Sequence, residues 1–197
     1  MIDDQQGGLI PPHDGDELMA PPSADALALR RYAMDLLARR EHSRLELEEK
    51  LRRHCGRAQA AHRADAPNPD AEIEADADAR PSNTEALIQR TLDQLEQDGL
   101  QSDARYAEVL IRSRVNRGQG PLRIRADLRQ RGLDAAAVDV LIEGYEDAWP
   151  ELAAQVISKR FGEESAGDRR EWARRARFLA SRGFPEGLVA RVLGPLP

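Results

Sequence analysis

The amino-acid sequence predicts an all-α fold of three tandem three-helix units, and three observations support that prediction. A pattern of leucine, two further residues, Arg-Gly and an apolar residue occurs at 128–133 and 179–184, with an imperfect copy at 51–56. Repeats of about 50 residues are typical of stacked helical units that cannot each bury an apolar face alone. Apolar residues recur at helical spacing, and no segment shows the period of two that indicates a strand. Only 4% of the residues are aromatic, which favours thin units with cores of Leu, Ile, Val and Ala.

The first unit is predicted over residues 23–98. Ser23 can cap its first helix. Ser-x-x-Glu patterns at 43–46 and 82–85 are capping boxes, in which the serine oxygen accepts a hydrogen bond from a first-turn amide and the glutamate reaches back. We therefore expect the second and third helices to begin at these two patterns.

The second and third units are predicted over residues 99–147 and 148–197. Their helices are expected to start at N-cap residues or at prolines suited to a first turn, namely at Ser102, Pro121, Asp134, Trp149-Pro150, Asp168 and Pro185. Glycines should end the intervening helices, at Gly99, Gly118 and Gly132. The chain is thus expected to form nine helices in three groups of three.

Two acidic segments are predicted to be flexible. Residues 1–22 hold Gly and Pro pairs and are interpreted as a disordered acidic tail. Residues 57–81 are rich in Ala, Asp, Glu and Pro, with too few large apolar residues to offset the entropy of ordering, so we expect a flexible acidic insertion in the first unit. Residues 1–26 and 64–79 carry six acids each and no base. Since the whole chain has a net charge of −6 and these segments contribute −12, the remainder carries +6.

Cysteine usage and hydropathy indicate the compartment. Cys55 is the only cysteine, which excludes an intramolecular disulfide and favours a reducing environment. No Lys or Arg precedes Arg30 and no long apolar run occurs, which argues against a signal peptide or a membrane span. We expect a cytoplasmic monomer with no membrane association.

Motifs of catalysis are missing from the sequence. Neither Lys50 nor Lys159 follows a glycine, so there is no Walker A loop. The Gly118-x-Gly120 pair lacks a third glycine and a preceding strand, and no Gly-x-Ser-x-Gly or His-Glu-x-x-His motif occurs. We expect no enzymatic activity and no cofactor.

A metal site is not expected either. The candidate ligands are few and their spacing matches no common zinc pattern. They are His42, His54, Cys55 and His62.

The main candidate for a binding surface is a concentration of arginines in the second unit. Within 105–131 only Glu108 and Asp127 oppose them, which leaves a local charge of +6. The planar guanidinium donates two hydrogen bonds at once to a phosphate or carboxylate. A general arginine bias of the genome is the alternative, but residues 134–147 carry five acids and no base, which a uniform bias would not produce. The candidates are Arg105, Arg112, Arg114, Arg117, Arg123, Arg125, Arg129 and Arg131.

A second basic run in the third unit is a candidate extension of that surface. The run contains only Glu171 as an acid, and its arginines are Arg169, Arg170, Arg174, Arg175, Arg177 and Arg182. Arg170, Arg174 and Arg177 have the spacing of one helical face. The alternative is an ordinary solvated helix.

Four runs together resemble the RecX family of recombination regulators. They are Ser-Arg-x-Glu-Leu-x-x-Lys-Leu at 43–51, Gly-Leu-x-Ser-Asp-x-Arg-Tyr-Ala at 99–107, Gly-x-x-Arg-Ile-x-x-Asp-Leu-x-x-Arg-Gly-Leu at 120–133, and Arg-Gly-Phe at 182–184. The resemblance implies an elongated, curved array of three three-helix units that binds the RecA recombinase and its RecA-DNA filament. It also implies that the protein modulates, usually inhibits, the recombinase, ATPase and coprotease activities of RecA. The acidic tail and the insertion depart from the family pattern.

Two other functions stay open at this point. An independent helix-turn-helix DNA-binding protein would use the last helix of a unit as its recognition helix, but that helix is acidic in the second unit. Weak nonspecific DNA binding is compatible with the basic units. An acidic adaptor would act through the two flexible segments.

Overall fold

A computed structural model describes residues 23–64 and 79–197 of the chain. Those residues form nine α-helices and one short 3₁₀ helix, with no strand among them, so the all-α prediction is confirmed there. The predicted tail at 1–22 and the centre of the predicted insertion lie outside the described residues. The helices are α1 (Ala24–Leu37), α2 (Arg44–Ala64), α3 (Ala79–Gln97), α4 (Asp103–Asn116), α5 (Pro121–Gln130), α6 (Ala135–Glu143), the 3₁₀ helix Glu146–Ala148, α7 (Trp149–Phe161), α8 (Arg169–Arg182) and α9 (Glu186–Leu193).

Most helix starts follow the local capping signals. The side-chain oxygen of Ser43 accepts a hydrogen bond from the amide of Glu46 at 3.2 Å. Asp168 does the same for the amide of Glu171 at 2.7 Å. Each cap satisfies one of the amides that a helix leaves unpaired in its first turn. The predicted caps Ser23, Ser102 and Asp134 make equivalent bonds to the amides three residues on.

The boundaries around the insertion differ from those predicted. Helix α2 continues to Ala64, and α3 already begins at Ala79, so both ends of the segment 57–81 are helical. Residues 57–64 contain Arg, Gln and four Ala, which favour helix and extend α2. Ser82 lies inside α3 and does not mark its start. Pro81 is compatible with this because proline is tolerated in a helical first turn.

The helices pack in three groups, α1–α3, α4–α6 and α7–α9, but the cores do not follow the same division. Every pair of α-helices in substantial contact belongs to one group. The first group has its own core, which includes Leu47, Leu51 and Leu92. The second and third groups share one continuous core, which runs from Tyr106 to Val189. The chain therefore consists of one separate unit and one fused pair of units.

The Arg-Gly repeat forms the junction of the fused pair. The backbone amides of Gly120 and Leu122, at the start of α5, donate to the carbonyl oxygens of Arg182 and Gly183, at the end of α8, at 2.8 and 2.9 Å. Two amides that have no partner within α5 are thus satisfied by carbonyl oxygens that have no partner within α8. A Cβ atom on Gly120 would lie 2.6 Å from the carbonyl of Gly183, and Gly183 itself has φ +91°. Only glycine fits both positions.

The junction of the first unit with the second is polar instead. The amide of Arg44 donates to Asp103 at 2.8 Å, and the side-chain amide of Gln101 donates to the carbonyl of His42 at 3.3 Å. Gly132, from the other copy of the repeat, lies against Leu45, where an added Cβ would come within 2.9 Å of the Leu45 Cβ. Each Arg-Gly pair therefore lies at the end of a unit's second helix and contacts the start of the second helix in the preceding unit. The end of α5 contacts the start of α2, and the end of α8 contacts the start of α5.

Candidate interaction surface

Two of the eleven candidate arginines lie at the polar junction between the first and second units. Arg105 donates to Glu41 at 3.1 Å and to the carbonyl oxygen of Leu100 at 3.1 Å. Arg131 donates to the hydroxyl of Tyr106 at 3.0 Å. These contacts hold neighbouring segments together, so both side chains have structural partners within the chain.

Three further candidates are paired inside the second unit. Arg114 lies 2.8 Å from a carboxylate oxygen of Asp127. Arg125 and Arg129 both contact Asp139 of α6, at 2.6 and 3.4 Å. The acidic α6 therefore neutralises one side of α5. The net charge of +6 read from the sequence is not presented as one continuous surface.

Five of the six remaining candidates form what we call the unpaired arginines; the sixth, Arg174, has a carboxylate neighbour and is described below with helix α8. Each of the five is exposed and has no side-chain partner among residues 23–64 and 79–197. An unpaired exposed guanidinium keeps its full hydrogen-bonding capacity for a partner. They are Arg112, Arg117, Arg123, Arg170 and Arg177.

Two of the unpaired arginines flank the junction of the fused pair. Gly183 packs against the backbone of Arg123, since an added Cβ would lie 2.6 Å from the Arg123 nitrogen. The guanidinium of Arg182 donates to the carbonyl of Arg117 at 2.9 Å and stacks over the ring of Phe178 at 5.1 Å. Arg182 belongs to the second basic run and to the Arg-Gly repeat, but the sequence did not indicate its contact with Arg117. The junction thus brings arginines from α5, α8 and the end of α4 together.

Helix α8 presents its predicted basic face to solvent. Arg170, Arg174 and Arg177 are all exposed. Arg174 lies 5.0 Å from the ring centre of Phe161 and 3.6 Å from a carboxylate oxygen of Glu171, so it is only weakly paired. These three side chains are placed where the sequence predicted them, and their binding role stays a prediction.

Arg175, on the same helix, is a structural residue. It is 4% exposed and donates to the carbonyl of Glu164 at 2.5 Å and to the carboxylate of Glu171 at 2.7 Å. The hydrogen bond from Arg175 holds the pKa of Glu171 below its usual value. This contact fixes the loop between α7 and α8 and does not involve Arg170 or Arg177.

Buried polar groups at the first junction have shifted pKa values. Burial, together with the nearby charge of Arg40, lowers the pKa of His42, which is 3% exposed. Burial alone would raise the pKa of Glu46, but the hydrogen bond from Arg40 and the proximity of His42 outweigh it, and the net shift is downward. The junction therefore favours a neutral His42 beside an ionised Glu46.

The candidate metal ligands do not form a site in the described part of the chain. No group of three His, Cys, Asp or Glu side chains there could hold a metal ion. His54 stacks on the ring of Tyr32 with centroids 4.0 Å apart, and burial raises the pKa of the Cys55 thiol. None of the helices in 23–64 and 79–197 is long and apolar enough to cross a membrane.

Nine helices among the described residues, in three groups of three, with a set of exposed, unpaired arginines on the second and third groups, define a helical-repeat protein. The family model described as the second three-helix domain of RecX matches residues 102–140, and the one for the third three-helix domain matches residues 146–193. The regulatory protein RecX of a Pseudomonas putida strain is 39% identical over 167 residues, which cover 85% of this chain and 90% of that protein. The regulatory protein RecX of Halorhodospira halophila is 38% identical over 84% of this chain and 86% of its own length.

Solved structures share the fold. The crystal structure of RecX from Lactobacillus salivarius superposes with a TM-score of 0.61 at 20% identity and covers 86% of this chain and 94% of that one. A second crystal structure of regulatory protein RecX has a TM-score of 0.60 at 19% identity, over 85% of this chain and 72% of that one. The chain belongs to the RecX family, and the resemblance predicted from its four motifs is confirmed.

Proposed function

We propose that the chain is a noncatalytic regulator that binds RecA and its RecA-DNA filament and inhibits the recombinase, ATPase and coprotease activities of RecA. Its family membership supports a regulatory role, since the curated relatives are named regulatory proteins. The observation that carries the proposal is the set of five unpaired arginines spread over the second and third units. RecA is the partner that the family resemblance implies.

The unpaired arginines suit a polyanionic partner. Phosphates of filament DNA, or carboxylates on the filament's protein surface, accept paired hydrogen bonds from a guanidinium. Contacts to phosphates release condensed counterions, so binding should weaken steeply as salt is raised. The five side chains already lack internal partners, and no existing ion pair has to break on binding.

The fused pair gives these contacts a fixed spacing. Arg112, Arg117 and Arg123 lie in the second unit, Arg170 and Arg177 in the third, and the two units share one core. A rigid body that touches adjacent filament subunits gains linked contacts, which raise effective affinity by roughly 100-fold or more. We therefore propose that the fused pair is the filament-binding body.

Titration of the DNA-dependent ATPase of RecA tests this function. The protein should lower the rate at concentrations well below that of RecA monomers, and it should hydrolyse no nucleotide when incubated alone. A salt series measured in parallel should show the inhibition declining as ionic strength rises. If RecA turnover stays unchanged across the titration while the protein binds bare duplex DNA with strong sequence preference, the independent DNA-binding function replaces this one.

A further inference from the structure

A cleft of about 540 Å³ lies between the second and third units, a volume within the range of about 300–1,000 Å³ that is usual for binding pockets. Its lining includes the buried side chains Ile142, Trp149 and Leu188. At its edge Leu122 of α5 is 49% exposed. Ile142, Trp149 and Leu188 are only 3%, 5% and 6% exposed, so the apolar contact that the cleft leaves uncovered is the side chain of Leu122.

Acidic side chains dominate the charge of the cleft. Glu143, Glu146 and Asp147 line it, are exposed, and have no ion-pair or hydrogen-bond partner among the described residues. Of the two lining arginines, Arg125 is held by Asp139 of α6 at 2.6 Å. Arg191 is then the one base of the lining without a carboxylate partner, so the excess charge is negative.

The cleft and the unpaired arginines lie on different sides of the same helix. Arg123 and Arg125 are two residues apart on α5, which places them about 200° apart around its axis. Arg125 lines the cleft, whereas Arg123 packs at the Gly183 junction. A polyanion on the arginines would not occupy the cleft, and the carboxylates of the cleft would repel it.

We propose that this cleft docks a peptide segment of a protein partner in which apolar side chains are flanked by Lys or Arg. The apolar side chains pack on the exposed Leu122, next to the largely covered Trp149, and the cationic groups pair with the carboxylates of Glu143, Glu146 and Asp147. Charge complementarity selects the occupant, because three unpaired carboxylates beside one exposed leucine favour a cationic, partly apolar segment over nucleic acid. This inference goes beyond the proposed function and does not depend on it.

A fluorescein-labelled peptide with a Lys-Leu-Leu-Arg core, blocked at both ends, serves as the probe for the full-length chain. Its anisotropy should rise on titration with the protein, while a twin with a Glu-Leu-Leu-Glu core should not bind. The chain has two tryptophans, so a Trp172→Phe variant leaves Trp149 as the sole reporter. An unlabelled form of the probe should shift the emission of Trp149 at saturation. Equal binding of the acidic twin, or unchanged Trp149 emission at saturation, would overturn the proposal.

Charge reversals locate the binding on the cleft. Glu143→Lys with Glu146→Lys should weaken probe binding by about tenfold. Asp35→Lys with Glu108→Lys is the matched control, since both acids are exposed, unpaired and outside the cleft, and the double variant should bind the probe as the wild type does.

Leu122→Ser tests the apolar contact and should also weaken probe binding. The Leu122 side chain is exposed enough to be changed without loss of the core. An equal loss in the control pair, or wild-type binding by both cleft variants, would refute the assignment. Neither assay contains RecA, so failure here leaves the RecA titration unaffected.

Discussion

Replacement of Gly120 by alanine should destabilise the junction of the fused pair. The backbone there has φ −87° and ψ 172°, which any residue adopts, so the cost comes from contact alone. The new Cβ would lie 2.6 Å from the carbonyl carbon and oxygen of Gly183 and 2.7 Å from the nitrogen of Phe184. These are backbone atoms and cannot rotate away. Overpacking costs about 1–3 kcal/mol and two weakened hydrogen bonds about 0.5–1.5 kcal/mol each, for a total of about 2–6 kcal/mol.

Thermal unfolding followed by tryptophan emission measures this effect, because both tryptophans lie in the third unit. The midpoint Tm of Gly120→Ala should fall by about 5 °C or more. Gly187→Ala is the matched control: it lies in α9 with nothing within 4 Å of an added Cβ, and it should raise stability by up to about 1 kcal/mol. A Gly120→Ala protein that melts with the wild type, or a Gly187→Ala protein that loses as much stability, would refute the role assigned to the junction.

Three further outcomes are expected. In the unfolded chain His42 is protonated near its ordinary pKa of 6.5, whereas burial lowers its pKa in the folded state. Between these two pKa values the unfolded state binds more protons than the folded state. The free energy of unfolding should therefore fall as the pH drops through 6.5, and it should level off below the folded-state pKa. Urea unfolding at about pH 7.5 and 5.5 should show this slope, and His42→Gln should flatten it. Asp139→Ala removes the partner of Arg125 and Arg129, whose side chains are 27% and 49% exposed, so the free energy of unfolding should change by no more than about 1 kcal/mol in a urea titration. Deletion of residues 1–22 should leave the circular dichroism and melting of the helices unchanged, because α1 has its own cap in Ser23; a lost cooperative melt would show that the tail packs.

Helix starts were predictable because their signals are local. Ser43, Ser102 and Asp168 each cap the helix that the sequence assigned to them. An N-cap hydrogen bond joins a side chain to the backbone amide three residues further along, so it depends only on the local sequence. The start of α3 was predicted at Ser82 but lies at Ala79. The residues Ala79, Arg80 and Pro81 add about one turn before the capping pattern, and Pro81 is compatible with that turn because a first helical turn does not need its amide.

The state of each arginine was not predictable in the same way. Arg105 pairs with Glu41, 64 residues away, and Arg125 pairs with Asp139 of the next helix. Such pairs depend on how helices pack, which the local sequence does not specify. The Arg-Gly repeat was visible in the sequence. Its role as a backbone contact between units was not, because that contact forms only where the start of α5 meets the end of α8 in the folded chain.

Cosedimentation with RecA-DNA filaments, compared with DNA alone, tests the central claim most directly. The triple variant Arg112→Glu, Arg123→Glu, Arg177→Glu removes unpaired arginines from both units of the fused pair. Loss of three exposed contacts should weaken filament binding by about 10- to 100-fold.

The matched control reverses three exposed, unpaired arginines of the first unit, Arg31, Arg39 and Arg90, with the same change in net charge. We predict that the wild type and this control pellet with filaments far more than with DNA alone and that the first variant does not. If the first variant still binds filaments as tightly as the wild type, or if both variants lose binding equally, the unpaired arginines of the fused pair are not the filament-binding surface.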